Sequence, residues 1–236
     1  MTSRATAPPI FTADERERLR DALVAAARSD ERIAGAAHTG SAALGREDRW
    51  SDIDLALSVA AGAVMDDVVA DWTQRLYEQH GAVAHHDIWY GATRFRVFLL
   101  ADTLQVDLAF WRDGEFGAIG PTFRLIFGTP APNPPPAALN PRDLTGIGMA
   151  WLYALHVRSS LARGRLQQAE NMLNGMREQL PREVTEPVAE GLVETLDAAE
   201  LARAFAAMVE RLVREVEQVD VELARRLTPT LMALAR

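Results

Sequence analysis

Residues 39–57 read Thr-Gly-Ser-Ala-Ala-Leu-Gly-Arg-Glu-Asp-Arg-Trp-Ser-Asp-Ile-Asp-Leu-Ala-Leu, and two aspartates, Asp52 and Asp54, lie near the end of this stretch. Because side chains alternate between the two faces of a β-strand, Asp52 and Asp54 point to the same side of the strand and Ile53 points to the other. Like charges held this close raise one another's proton affinity, so both normally stay ionised only with a cation between them. The stretch therefore predicts a divalent metal site at the start of a strand.

The composition is typical of an ordinary globular protein. The chain has 236 residues, of which 48% are hydrophobic and 25% charged, so it suits one large domain or two small ones with a buried core. No apolar run approaches the ~20 residues that span a bilayer. The N-terminal residues lack the apolar core of a secretory signal, and the chain has no cysteine for disulfides or thiol chemistry. We therefore expect a cytoplasmic protein that does not bind membranes.

The formal net charge of -8 bears on the class of partner. Proteins that bind nucleic acid without sequence preference owe most of their affinity to a basic surface that meets the phosphates. An acidic chain argues against this class and fits a cationic small molecule better.

The first half of the chain has the pattern of a mixed β-sheet flanked by helices. Thr12 and Glu15 form a capping-box pattern that begins a helix. A helix with apolar residues at three-to-four spacing is predicted over residues 64–79, and Gly81 is well placed to end it. Period-two and apolar stretches predict strands over residues 32–37, 52–59, 83–90, 94–100 and 104–110.

A Pro-rich run separates this half from the next. Residues 129–136 read Thr-Pro-Ala-Pro-Asn-Pro-Pro-Pro, and proline lacks the amide donor that regular structure needs. The pattern after it is helical throughout. The sequence predicts an α+β protein with a first domain over residues 1–128, a linker over 129–140 and a helical bundle over 141–236. Its helices are expected over residues 141–163, 165–180, 187–196, 198–219 and 221–233, with a break or kink at Pro229.

The order of these motifs resembles the minimal nucleotidyltransferase fold, that of the DNA polymerase β-like superfamily. The family pattern is a Gly-Gly or Gly-Ser pair, a gap of roughly ten residues, Asp-x-Asp, and a third carboxylate on a later strand. This chain has Gly40 and Ser41, then Asp52 and Asp54, and then Asp107 in the strand Leu-Gln-Val-Asp-Leu-Ala-Phe. A catalytic domain followed by a helical domain is most similar to the antibiotic nucleotidyltransferases, which adenylylate aminoglycosides or lincosamides.

The resemblance implies a role for each residue of the pattern. Asp52 and Asp54 would hold Mg²⁺ against the triphosphate of ATP or another NTP, and Asp107 would complete a second metal position. The Gly40 and Ser41 turn would present backbone amides and a hydroxyl to the phosphates. An arginine in this loop of the antibiotic-modifying members suggests that Arg46 adds a positive charge.

The helical half would bind the acceptor, a small molecule carrying a hydroxyl group. Related two-domain enzymes use a carboxylate as general base, and Glu170 is the candidate for that role in this chain. The other interpretation of Glu170 is an exposed helix acid that pairs with a neighbour such as Arg177 or Arg163. Some relatives build the acceptor site across a homodimer, and the sequence leaves the oligomeric state of this chain open.

Two other functions fit the same motifs. One is a protein adenylyltransferase of the antitoxin type, although those chains are usually shorter and lack an added bundle. The other is a module that binds a nucleotide or a partner without turnover, and the intact set of three acids argues against it. The leading prediction is a Mg²⁺-dependent nucleotidyltransferase that transfers a nucleoside monophosphate, AMP by preference, to a small molecule such as an antibiotic.

Overall fold

A computed structural model describes residues 10–118, 120–132, 139, 145–181 and 197–236. In these residues the protein is α+β, with one mixed six-stranded sheet and seven helices, of which the last four are C-terminal to the sheet. The chain divides into two compact units, one over Pro9–Asp143 and one that contains Leu144–Arg236.

The first unit contains the sheet and three helices. Its helices are α1 (Ala13–Ser29), α2 (Gly40–Ala43) and α3 (Met65–His80). Its strands are β1 (Ile33–Thr39), β2 (Ile53–Val59), β3 (Ala82–Tyr90), β4 (Thr93–Leu100), β5 (Gln105–Arg112) and β6 (Phe123–Phe127).

The sheet has the strand order β3-β4-β5-β2-β1-β6. β2 and β5 are its parallel pair, and every other neighbouring pair is antiparallel. A parallel pair needs a long crossover connection, which α3 and the β3–β4 hairpin supply between β2 and β5. Asp54 and Asp107 are direct neighbours in the register of this central pair.

The two faces of the sheet have different environments. One face is the main hydrophobic core, where strand residues such as Leu55 and Leu108 are buried together with Leu23 of α1 and Trp72 of α3. The other face carries a smaller cluster of alanines and aromatic residues, namely Ala37, Ala56, Ala109, Trp111 and Phe116. Since residues i and i+2 share a face, Asp54 and Asp107 lie on this second face, beside Ala56 and Ala109.

Two predicted helix ends are confirmed in detail. The Thr12 hydroxyl accepts from the Glu15 amide at 3.2 Å, and the Glu15 carboxylate accepts from the Thr12 amide at 2.7 Å, which is the reciprocal capping box. At the end of α3, Gly81 adopts the left-handed conformation with φ 71°. Glycine adopts this conformation without the steric cost that a Cβ would add. Gly81 therefore ends the helix for the reason that the sequence predicts.

Some elements differ from the prediction. The segment after β1 forms the short helix α2 where a simple turn was expected, and the short strand β6, which pairs with β1, was not predicted. Most of the Pro-rich linker and the predicted helix over 187–196 lie outside the described residues. The first helix of the second unit begins at Ile147, six residues later than predicted.

The second unit is helical over its described residues. It contains α4 (Ile147–Ala162), α5 (Leu166–Glu178), α6 (Ala198–Val219) and α7 (Val221–Leu234). α4 contacts all three other helices and is buried on most of its surface, as its run of apolar residues requires. α7 continues through Pro229, where a break or kink was predicted. Among the described helices, none has the length and apolar character needed to cross a membrane.

Candidate metal centre

The structure brings Asp52, Asp54 and Asp107 together at one end of the central parallel strand pair. Each of the three offers a carboxylate oxygen, and these oxygens all lie within 4.8 Å of one another. Asp54 and Asp107 are neighbours in the register of β2 and β5, while Asp52 lies just before the first residue of β2. The same-side geometry inferred for Asp52 and Asp54 therefore extends to an acid that is more than 50 residues away in the sequence.

The three aspartate side chains are half-buried, so keeping all three carboxylates ionised costs free energy. Burial raises the pKa of Asp54 well above its usual range, and the nearby charges of Asp52 and Asp107 raise it further. Burial, reinforced by the charge of Asp52, likewise raises the pKa of Asp107 to about 8. Without a cation, protons must therefore offset part of the negative charge near neutral pH. A divalent cation fits this set of hard oxygen donors and would take the place of those protons.

Gly40 is in direct contact with the acid cluster. It has φ +55°, and a Cβ built on it would overlap the Asp54 carboxylate, lying 2.7 Å from Asp54 Cγ and 3.3 Å from Asp54 Cβ. The 2.7 Å separation is shorter than real Cβ atoms show, and the 3.3 Å separation is tighter than nine in ten real Cβ contacts. Two features therefore favour glycine at this position: the left-handed backbone conformation and the close approach of the Asp54 carboxylate.

Ser41 follows in the same turn and has an unsatisfied hydroxyl. Its Oγ is buried and has no hydrogen-bond partner, which is uncommon for a buried polar atom. The Ser41 carbonyl accepts from the amides of Leu44 and Arg46 at 3.2 and 3.0 Å, so the backbone of the turn is well fixed. A free hydroxyl on a fixed turn is suited to a ligand with hydrogen-bonding oxygens.

Arg46 and Glu170, the two remaining predicted site residues, are not members of the acid cluster. Arg46 is joined to the turn through its backbone, and the residue is exposed. Glu170 lies on α5 in the helical unit, where its carboxylate accepts from Gln167 Nε2 at 3.0 Å. Its role as a general base stays a prediction.

Gln105 is a residue of the site that the sequence reasoning missed. Its amide nitrogen donates to both carboxylate oxygens of Asp107, at 3.0 and 3.1 Å, and the residue is buried. This contact orients Asp107 and opposes the upward shift of its pKa. The signal was present in the sequence, because Gln105 and Asp107 stand two apart on one strand and so share a face.

The chain matches no protein-family model, and a search of curated proteins returns no match. Any assignment of function therefore depends on the residues and their geometry.

Proposed function

We propose that the protein is a Mg²⁺-dependent nucleotidyltransferase of the minimal nucleotidyltransferase type, which transfers a nucleoside monophosphate from ATP or another NTP to a small-molecule hydroxyl. The observation that carries the proposal is the convergence of Asp52, Asp54 and Asp107, with carboxylate oxygens within 4.8 Å of one another. The mixed sheet with its parallel central pair supports the proposed fold.

The turn beside the acids supports a phosphate ligand in particular. Gly40 approaches the Asp54 carboxylate so closely that no side chain fits between the turn and the acids. Ser41 adds a buried hydroxyl without a partner at the next position. The phosphate oxygens of an NTP bound to a cation at the three acids could then accept hydrogen bonds from the backbone amides and the Ser41 hydroxyl of this turn.

The proposed reaction is a displacement at the α-phosphorus of the nucleotide. The acceptor oxygen forms a bond to this phosphorus, the bond to the bridging oxygen of the β-phosphate breaks, and pyrophosphate leaves with that electron pair. The hydroxyl proton passes to a base, for which Glu170 is proposed. When bound, Mg²⁺ supplies charge stabilisation for the phosphate oxygens.

The chain's own residues have three tasks in this scheme. Asp52, Asp54 and Asp107 hold the cation, and the Gly40 and Ser41 turn orients the phosphates. The helical unit is proposed to bind the acceptor, which the acidic net charge of -8 suggests is cationic, as aminoglycosides are.

A transfer assay tests the proposal. ATP labelled at the α-phosphate is incubated with the protein, Mg²⁺ and a panel of aminoglycosides and lincosamides, and each acceptor is separated and counted. We expect label on at least one small molecule, with none in the presence of EDTA or for Asp54→Asn. Label that appears on added proteins and on no small molecule would instead favour the protein adenylyltransferase alternative.

A further inference from the structure

Arg16 of α1 is a buried cation in the first unit. It is 2% exposed, and α1 otherwise places apolar residues such as Leu23 and Ala27 in the core. A buried charge destabilises a fold unless it is paired and hydrogen-bonded. The contacts of Arg16 therefore indicate which part of the structure its buried guanidinium holds in place.

The partners of Arg16 are concentrated in one segment, residues 44–51, which we name the connecting loop because it joins α2 to Asp52, the residue before β2. Arg16 Nη1 donates to the Asp48 carbonyl at 2.5 Å, and Arg16 Nε lies 3.4 Å from Glu47 Oε1. Arg20, one turn along α1, donates to both oxygens of Glu47 at 2.7 and 2.6 Å. Arg16 also lies 3.6 Å from the exposed Glu17 of its own helix.

The connecting loop is folded around this attachment. The Asp48 amide donates to Ser51 Oγ at 2.9 Å, and Asp48 Oδ1 accepts from the Trp50 amide at 2.9 Å. The guanidinium carbon of Arg49 lies 4.8 Å from the ring centroid of Phe11 and 4.9 Å from that of Trp50. Ser51, the last residue of the loop, is 3% exposed, so the chain enters the metal centre from a fixed position.

Asp52 depends on this loop more than the other two acids do. Asp54 and Asp107 are held by the β2–β5 ladder, in which they are register partners. That ladder begins at Ile53, so Asp52 lies one residue outside it. The backbone at Asp52 is therefore held on one side by the β2–β5 ladder and on the other by the connecting loop, which α1 contacts through Arg16 and Arg20.

We propose that Arg16 is a positioning residue for the metal centre: by fixing the connecting loop to α1, it sets the position of the Asp52 carboxylate. This inference rests on the proposed function, because it requires that the three acids bind a cation.

The test uses Arg16→Met, which keeps the length of the side chain and removes its charge and donors, and Arg16→Lys, which keeps one donor for the Asp48 carbonyl. Glu47→Gln removes the loop carboxylate that both Arg16 and Arg20 contact, and it serves if Arg16→Met does not fold. Arg28→Met is the matched control, because Arg28 is an exposed arginine of the same helix that donates to the Ile126 carbonyl of β6 at 3.2 Å.

Two quantities are measured on the full chain at a temperature where each variant is folded: the Mn²⁺ dissociation constant, and amide hydrogen exchange over residues 44–51. We expect Arg16→Met to weaken Mn²⁺ binding about tenfold and to speed exchange in the loop, as loss of a supporting interaction does at metal sites. Arg16→Lys should have an intermediate effect, and Arg28→Met should stay within about twofold of the wild type in affinity.

The outcomes separate the two claims. If the wild type binds Mn²⁺ and the folded Arg16 and Glu47 variants bind it equally well, the positioning role is wrong and the proposed function stands. If the wild type binds no Mn²⁺, both are overturned.

Discussion

Replacing Gly40 by alanine should damage the metal centre through a single added carbon. The new Cβ would lie 2.7 Å from Asp54 Cγ and 3.3 Å from Asp54 Cβ, so the whole Asp54 side chain has to move and not only its flexible tip. The backbone at Gly40, with φ +55°, also disfavours any L-residue. Gly40→Ala therefore combines a backbone cost with a displacement of one proposed metal ligand.

Gly81→Ala separates these two contributions. Gly81 lies outside the connecting loop and has a similar backbone, with φ +71°, but a Cβ there would meet nothing within 4 Å. The left-handed conformation costs an L-residue about 1–2 kcal/mol, partly offset by the lower entropy of the unfolded alanine variant, so we expect Gly81→Ala to lose about 1 kcal/mol of unfolding free energy. The overlap at Asp54 should add about 1–3 kcal/mol for Gly40→Ala.

Metal affinity is the decisive measurement for this pair. Urea unfolding in EDTA gives the two stabilities, and Mn²⁺ titration followed by electron paramagnetic resonance gives the two dissociation constants. We expect Gly40→Ala to bind Mn²⁺ at least about tenfold more weakly than the wild type, which corresponds to about 1.4 kcal/mol, and Gly81→Ala to bind it normally. Wild-type affinity in Gly40→Ala would refute the inference that this contact fixes Asp54 for a cation.

Three further predictions concern the carboxylates and their supports. Because the pKa values of Asp54 and Asp107 are raised on folding, the folded state binds more protons at these two groups than the unfolded state; between about pH 4 and pH 8 in EDTA, the unfolding free energy of the wild type should therefore fall by at least about 1 kcal/mol relative to that of the Asp54→Asn, Asp107→Asn double variant. The comparison with the variant cancels the opposite contributions of His38 and His80, whose pKa values burial lowers. Saturating Mg²⁺ should reduce this relative fall, and urea melts across the pH range measure both; the same pH dependence in the wild type and the double variant would contradict the assignment. Gln105→Leu should weaken Mn²⁺ binding about tenfold because Asp107 loses its orienting donor, and unchanged affinity in the same titration would exclude that role. Thr12→Ala should lower the unfolding free energy by about 1 kcal/mol through loss of the helix cap, with Mn²⁺ affinity unchanged.

The parts of the fold that the sequence predicts well are those decided by neighbouring residues. The capping box of Thr12 and Glu15 and the left-handed stop at Gly81 are local chemistry, and both are confirmed. The shared face of Asp52 and Asp54 follows from strand alternation alone. The third acid, Asp107, was added through the family pattern, and the structure places it beside Asp54.

The features that the sequence did not reveal depend on contacts between distant segments. β6 has only five residues, and its pairing with β1 joins segments more than 80 residues apart. Arg16 stands in a helix rich in charged residues, where a surface position is the ordinary expectation, and its burial depends on a loop about 30 residues further along the chain. The proposed roles of Arg46 and Glu170 stay predictions, since they depend on bound substrates.

The most direct test of the central claim is equilibrium binding of a non-hydrolysable ATP analogue, measured by calorimetry with Mg²⁺ and with EDTA. We expect the wild type to bind the analogue only with Mg²⁺, and the Asp52→Asn, Asp54→Asn double variant, shown to be folded, to lose this Mg²⁺-dependent binding. Binding that is equally strong in EDTA, or that survives in the double variant, would contradict the assignment of these carboxylates to a metal-nucleotide site.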